Sequence, residues 1–305
     1  MLDPVPAAIR RLLPDAVLLG VAVVWGGSYL GTKDLAAASS AAAVLCGRFV
    51  PAAVILLAIS AARGRLPGLR GMLRPGLVLG ALRAATLALE TIGVTRTSAT
   101  NAGLIIGMSV LLTPLFESAA RRRRLSAPLV ASLLLGIVGI ALLVSGNGFS
   151  APNQGDLLVL AAAVTRALLG VAGSRSVAHT EADVLQLTTV EVAFGAAVFA
   201  VAGGGPLLAA APRLTAGDWA GFAYLSVGCT ILAFLGQLWA TKHSSASRAG
   251  ILLGTEPAWA LAIGVVVGGE RVGPLGLAGA GVLLVAVVWG GRAEREWRRA
   301  DAVPI

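Results

Sequence analysis

Glu256 is the one ionisable residue between Ala249 and Gly268, in a run that reads AGILLGTEPAWALAIGVVVG, and Pro257 follows it directly. A run of about 20 apolar residues is long enough to cross a bilayer as a helix. A carboxylate at that depth is costly, and such residues mark proton, ion or substrate paths. Proline has no N–H to give, so Pro257 frees a carbonyl one turn back, near Leu253, and is expected to kink the helix. Five more charges fall within apolar runs: Arg48, Arg83, Arg166, Glu90 and Glu191. With Glu256 they form a balanced set, three positive and three negative. One chemistry for such a set is internal pairing, in which removing one partner costs about 3–5 kcal/mol. The other is a charged path whose members exchange partners with a solute. Arg166 lies ten residues after Asp156, which opens its apolar run, too deep for its head to reach water by snorkelling. It must meet a carboxylate, water or an anionic substrate group. Glu256 is expected to pair with Arg166 or Arg83 in a closed state and to be contested by substrate. Arg48 and Glu90 lie at similar depth and are candidates to pair. Glu191 is expected to satisfy an arginine or to face headgroups.

The elements that position these charges are membrane helices. Hydrophobic residues make up 57% of the chain, charged residues 13%, and mean hydropathy is +0.85, whereas a soluble domain carries roughly 25% charged residues. A pI of 11.1 and a net charge of +9 would suggest nucleic acid in a soluble chain, but here the arginines flank apolar segments and no nucleic-acid partner is expected. Cys46 and Cys229 both lie in apolar runs and point to neither a disulfide nor a metal. The first apolar segment reads as a retained helix, since no small-residue cleavage site precedes it. Runs bounded by Pro, Gly or arginine clusters give ten spans: 15–33, 41–62, 76–94, 99–118, 127–146, 156–174, 183–203, 218–240, 249–268 and 274–291. With a cytoplasmic N-terminus, the inner loops and tails hold seventeen of the 24 Lys and Arg residues, among them the Arg121–Arg124 run. The outer loops hold Lys33, Arg96, Arg213 and Arg271. That bias places both termini in the cytoplasm, and makes the arginine run a topology anchor that touches lipid headgroups.

The chain also repeats itself. Residues 98–107, SATNAGLIIG, and 245–254, SASRAGILLG, share five identities and three Leu/Ile exchanges at an offset of 147. Two five-helix repeats would follow, 1–149 and 150–305, and an odd number of spans inverts the second copy. Inverted repeats are frequent in secondary transporters, with the substrate site near the midplane between the halves. Gly103-x-x-x-Gly107 and Gly250-x-x-x-Gly254 occupy equivalent places and would let helices approach closely. Glu90 maps onto Gln237 at the same offset, so the two could form gates at opposite ends of the cavity.

The stretch 228–288 resembles the C-terminal repeat of the drug/metabolite transporter superfamily, in its EamA-type exporter branch. Thr230, Gln237, Ser245-Ala246, Glu256-Pro257, Gly269-Glu270-Arg271 and Gly279-Ala280 carry the likeness. WGGSYLGTK at 25–33, Arg48-Phe49 and ETIGVTRTSATNAG at 90–103 extend it to the first repeat. Two positions depart from the pattern: Glu90 stands where many relatives have Gln, and Thr165-Arg166 replaces a usual Trp-Ala. The resemblance implies that helices 1, 3, 4, 6, 8 and 9 line a cavity, that 2 and 7 flank it, and that 5 and 10 lie outside. It implies a structural role for Arg48 on the flanking helix 2.

The expectation is therefore an all-α integral membrane protein of ten transmembrane helices in two inverted five-helix repeats. Its function would be export of small metabolites, amino acids or drugs across a bacterial-type cytoplasmic membrane by alternating access. The expected cavity residues are Trp25, Glu90, Asn101, Ser109, Arg166, Thr230, Gln237, Trp239 and Glu256, with Pro257 as the helix kink; Trp25 offers an aromatic face to apolar or cationic groups. No cofactor and no metal are expected; the partners are a small-molecule substrate and membrane lipid. Proton coupling is left open, as is the choice between monomer and homodimer. A membrane-embedded enzyme is the alternative, but His179 and His243 fall near loops, and no metal motif, nucleophile elbow or phosphate loop appears. A non-transporting scaffold or channel is a third reading, which an inverted repeat disfavours.

Overall fold

The computed structural model describes residues 7–121, 124–144, 153–178, 183–243 and 252–301, and every regular element among them is helical. The helices are α1 Ala7–Ala38, α2 Ala41–Ala62, α3 Leu73–Val94, α4 Ala99–Ile106, α5 Met108–Arg121, α6 Ala127–Val144, α7 Gln154–Ala178 and α8 Val184–Ala210. They continue with α9 Ala216–Ala223, a π-helical segment Tyr224–Leu232, α10 Ala233–His243, α11 Glu256–Val266 and α12 Pro274–Asp301. Among the described residues, eight stretches are long and apolar enough to cross a membrane, and Ala127–Gly139 and Glu256–Val266 are shorter apolar helices. This is an integral membrane protein. Lipid offers no partner for a backbone N–H or C=O, so an apolar chain of this kind satisfies its backbone within helices.

The bundle has two ends, and contacts between loops identify them. At one end, which holds the start of α1 and the end of α12, Arg65 pairs with Asp183 at 2.8 Å, and Trp297 Nε1 donates to the Arg124 carbonyl at 3.1 Å. At the far end Thr97 donates to Asp156 at 2.7 Å and Arg96 to Gln154 at 3.1 Å. A third far-end contact involves Glu270. Its carboxylate accepts from the backbone N–H groups of Ala99 and Thr100 at 2.8 and 2.9 Å, and Lys33 lies 3.5 Å away. The first N–H groups of a helix have no partner within it. Ser98 caps the next one, its Oγ accepting from Asn101 N, so α4 is capped partly by its own sequence and partly by a distant loop.

Span 41–62 coincides with α2, whereas α1 and α8 run on to Ala38 and Ala210. Three expected spans are interrupted. The fourth breaks at Gly107 between α4 and α5, the eighth widens into the π-helical segment, and the ninth turns at Gly254–Thr255 before α11 begins. Pro257 accordingly does not kink a continuous helix. It occupies the first turn of α11, where a missing N–H costs nothing because those N–H groups have no intrahelical acceptor. A Cβ on Gly107 would strike the Pro257 ring, and one on Gly103 would collide with Ala260 and crowd the ring of Tyr29. The two broken helices thus cross at their breaks, and glycine is what permits the approach. Gly250, the rest of residues 244–251 and two residues of the Arg121–Arg124 run lie outside the described residues.

One apolar core joins α1, α2, α3, α8, the π-helical segment and α10 around Trp25, Phe49, Phe199 and Phe234; Phe49 meets Phe199 edge to face at 5.0 Å. A second joins α1, α4, α5, α7, α11 and α12 around Tyr29, Ile105, Leu111 and Leu283. Both reach the same central space, since Trp25 and Tyr29, one turn apart on α1, belong to different cores.

Candidate functional site

Arg83, Thr86, Leu87 and Glu90 follow the i, i+3, i+4, i+7 spacing that puts side chains on one face of a helix. On α1, Trp25, Ser28 and Tyr29 form a shorter stripe of the same kind. These two stripes, with Arg48 of α2, Arg166 of α7, Phe234 of α10 and Glu256 of α11, line a small cavity of about 20 Å³ inside the bundle. That is room for about one water molecule, well below the volume of a small-molecule site.

Glu256 is the most heavily satisfied group in it. Arg166 grips both carboxylate oxygens, Nη1 to Oε1 at 3.1 Å and Nη2 to Oε2 at 2.5 Å, and the Tyr29 hydroxyl donates to Oε1 at 2.5 Å. A two-point guanidinium–carboxylate contact is stronger and more directional than a single hydrogen bond. The same guanidinium lies 5.0 Å from the centre of the Trp25 ring, close enough for a cation–π contact. Arg83 has a parallel arrangement. Its Nε donates to Glu191 at 2.6 Å, and its guanidinium sits 4.0 Å over Phe234. Of the two partners open to Glu256, the fold supplies Arg166, and Glu191 takes Arg83.

Arg48 and Glu90 are different. Arg48 is 3% exposed; its Nε donates to Thr230 Oγ1 at 2.9 Å and Nη2 to the Cys229 carbonyl at 3.5 Å. The π-helical turn makes this possible. A wider i→i+5 turn displaces carbonyls from the helix axis, and Thr230 Oγ1 spans it by donating to Leu225 O at 2.9 Å. The displaced Cys229 carbonyl also accepts from Trp25 Nε1 at 3.0 Å. Glu90 is 8% exposed. Among the described residues it accepts no hydrogen bond and lies within 4.0 Å of no cationic side chain, and Arg48 has no carboxylate within that distance. The pair suggested by their similar depth does not form; both side chains instead face the same space.

Of the residues singled out in the sequence, Trp25, Glu90, Arg166 and Glu256 line this cavity. Thr230 is fully buried behind the wall, holding Arg48. Asn101 and Ser109 on α4 and α5 are not among the lining residues, because that helix pair turns its small residues to α11 and α1. Gln237 is not among the lining residues either; Trp239 stacks on His243 at 4.7 Å and packs against Leu18. The lining therefore departs from the helix set the resemblance implies. Helix 4 is absent from it, and helix 2 enters it through the long side chain of Arg48.

Tyr29 and Ser28 were missed, although each falls on the Trp25 face at i+4 and i+3. Arg83 was weighed only as an ion-pair partner, yet the stripe it shares with Glu90 is visible in the sequence. Phe234 had no comparable signal. Glu117, buried in α5, is a seventh intramembrane charge that the balanced set omits.

Comparison with known proteins agrees with this architecture. The model of the EamA-like transporter family matches residues 12–145 and again 153–290. The chain is 26% identical over 287 residues to YedA of Escherichia coli K12, named an uncharacterized inner membrane transporter, covering 92% of this chain and 91% of that one. It is 24% identical over 264 residues to YyaM of Bacillus subtilis, an uncharacterized transporter, covering 83% and 85%. A solved structure, described only as the crystal structure of a protein, shares the fold with a TM-score of 0.65 and 19% identity, covering 95% of this chain and 99% of that one. Two matches of one family model, together spanning nearly the whole chain, make this protein a member of the EamA-like transporter family.

Proposed function

We propose that the protein is a secondary transporter that exports small metabolites, amino acids or drugs across the cytoplasmic membrane by alternating access. Ten helices in two inverted halves, 1–149 and 150–305, would rock about the central cavity, with both termini in the cytoplasm. The observation that carries this reading is the composition of the cavity wall. Trp25, Tyr29, Arg48 and Glu90 come from the first half, and Arg166, Phe234 and Glu256 from the second. The contact between Tyr29 and the Glu256–Arg166 pair crosses from one half to the other. A solute admitted between these residues touches both halves, and a change in their relative position changes its surroundings. The basic residues of the inner loops support the orientation.

Glu256 is the coupling residue in this scheme, because the donors that hold it in the closed state are the ones a solute must displace. The test is flux into proteoliposomes of a broad panel of labelled amino acids, purines and sugars, with and without a pH gradient, for wild type and Glu256→Gln at matched protein content. Saturable flux in wild type that is lost in the variant, with the variant still monodisperse, is the expected result. Flux equal in both proteins would refute the role of Glu256, and absence of saturable flux for every solute would count against the carrier.

A further inference from the structure

We infer that the connection between α2 and α3 is a docking surface for an anionic phospholipid, presenting Arg63, Arg70 and Arg74 to the headgroup and Leu66 and Leu73 to the acyl chains. This rests on the membrane fold alone and not on what the protein carries.

The segment is built to lie against the end of the bundle. After α2 ends at Ala62, Gly64 adopts φ +65°, the left-handed conformation with which glycine turns a chain out of a helix. The N–H groups of Gly64 and Arg65 close that turn on the carbonyls of Ala61 and Ser60 at 3.0 and 2.8 Å. Leu66–Met72 then forms 3₁₀ turns that lead directly into α3. One side of the segment is pinned to the start of α8. Arg65 pairs with Asp183 at 2.8 Å, Gln186 Nε2 donates to the Arg65 carbonyl at 2.9 Å, and a Cβ on Gly68 would strike the Gln186 amide. The rest is turned outward. No residue of Leu66–Met72 is buried, Leu66 and Leu73 are 44% and 45% exposed, and Arg63, Arg70 and Arg74 are all exposed.

Charge and apolar surface together name the occupant. In 3₁₀ turns residues three apart stack, so Leu66, Leu69 and Met72 form one row. Leu73, Leu77 and Val78, in the first turns of α3, are also exposed and carry the apolar surface on along a membrane-spanning stretch. Exposed apolar side chains interleaved with arginines mark a surface that meets acyl chains and headgroups at once. The arginines are unanswered within the protein. Residues 35–89 contain no Asp or Glu, and Asp183 is taken by Arg65. Among the described residues, no carboxylate lies within 4.0 Å of Arg63, Arg70 or Arg74. A phosphodiester is the acceptor that a guanidinium fork matches, and a basic cluster beside a membrane helix is drawn to anionic lipid. A zwitterionic lipid brings its own cation and answers the arginines only in part. A soluble phosphate would leave the leucines bare. An anionic phospholipid answers both.

The test uses the full-length protein purified in an uncharged detergent and titrated with phosphatidylglycerol, phosphatidylcholine or inorganic phosphate. The readout is the thermal unfolding midpoint as a function of probe concentration. Phosphatidylglycerol is expected to raise the midpoint saturably, phosphatidylcholine to act about tenfold more weakly or less, and phosphate to have no effect. One arginine near an anionic lipid surface is worth about fivefold in affinity. Replacing Arg63, Arg70 and Arg74 together with Gln should therefore weaken the response to phosphatidylglycerol by about tenfold or more. All three side chains are exposed, so the triple variant should keep the wild-type midpoint in detergent without lipid; Arg70→Gln alone, about fivefold weaker, decides the matter if it does not. Arg292 and Arg299 are also exposed and lie at the same end of the bundle, and replacing both with Gln should leave the response as in wild type. Equal responses to the two lipids, a response to phosphate as large as that to phosphatidylglycerol, or a triple variant that responds like wild type would each overturn the inference. So would a loss in the Arg292/Arg299 variant as large as in the triple, since the attraction would then belong to the basic end as a whole.

Discussion

Glu191 and Glu90 are both buried carboxylates on membrane helices, and replacing each by Gln should have opposite consequences. Glu191 is 1% exposed and holds Arg83 at 2.6 Å. Its neutralisation strands a buried guanidinium, a change that costs about 3–5 kcal/mol. Glu90 has no contacting cation to strand, so Glu90→Gln should leave the stability of the solute-free protein unchanged or raise it. Thermal unfolding of the two variants in one detergent checks this, and equal losses would show that Glu90 has a partner of its own. All the cavity charges were legible in the sequence because charge in an apolar run is conspicuous. Who pairs with whom was legible only in part: Arg166 was one of two partners expected for Glu256, and the expected Arg48–Glu90 pair does not form. Arg166 and Glu256 are 90 residues apart, and Arg83 and Glu191 are 108 apart. Their meeting depends on the rotation of each helix about its axis, and a helix that is apolar all round gives little sign of which face turns inward.

At the scale of elements, the interruptions were harder to read than the helices. Composition alone marks the spans, but Gly107 and Gly254–Thr255 become breaks only because α4 and α11 cross there, a tertiary fact. Glu270 belongs to the same scale: as part of a Gly-Glu-Arg motif it was visible, as the cap of a helix 170 residues away it was not. Burial raises the pKa of this carboxyl, but hydrogen bonds from Thr100 and Ala99 and the charge of Lys33 outweigh it, so the group is held below its ordinary value. A lowered carboxylate pKa means stability that is present above the ordinary value and is lost as pH falls through the lowered one. Glu270→Gln should therefore cost about 1 kcal/mol at neutral pH, in the range for a lost helix cap. The stability curves of wild type and variant should converge only at pH below the usual carboxylate range. Parallel curves at all pH values would mean that the carboxylate contributes nothing as an anion.

For the whole molecule, the two ends of the bundle are fastened by unlike means. At the far end Glu270, in the loop between α11 and α12, bridges the first turn of α4 and the side of α1 near Lys33. If the halves rock about the cavity, the far end must open through this bridge, and its two sides must separate in every cycle. Replacing Lys33 and Glu270 together with Cys, and joining them with a short cleavable thiol crosslinker, should abolish flux, and cleavage should restore it. The native Cys46 and Cys229 are both buried, so the reagent has the introduced pair as its accessible target. Each single Cys variant, treated in the same way, controls for loss of the bridge itself. Flux that continues at the unlinked rate with the crosslink in place would mean that α1 and the α11–α12 loop move as one body. The path would then have to leave the far end elsewhere, and the proposed rocking of one half against the other would be wrong.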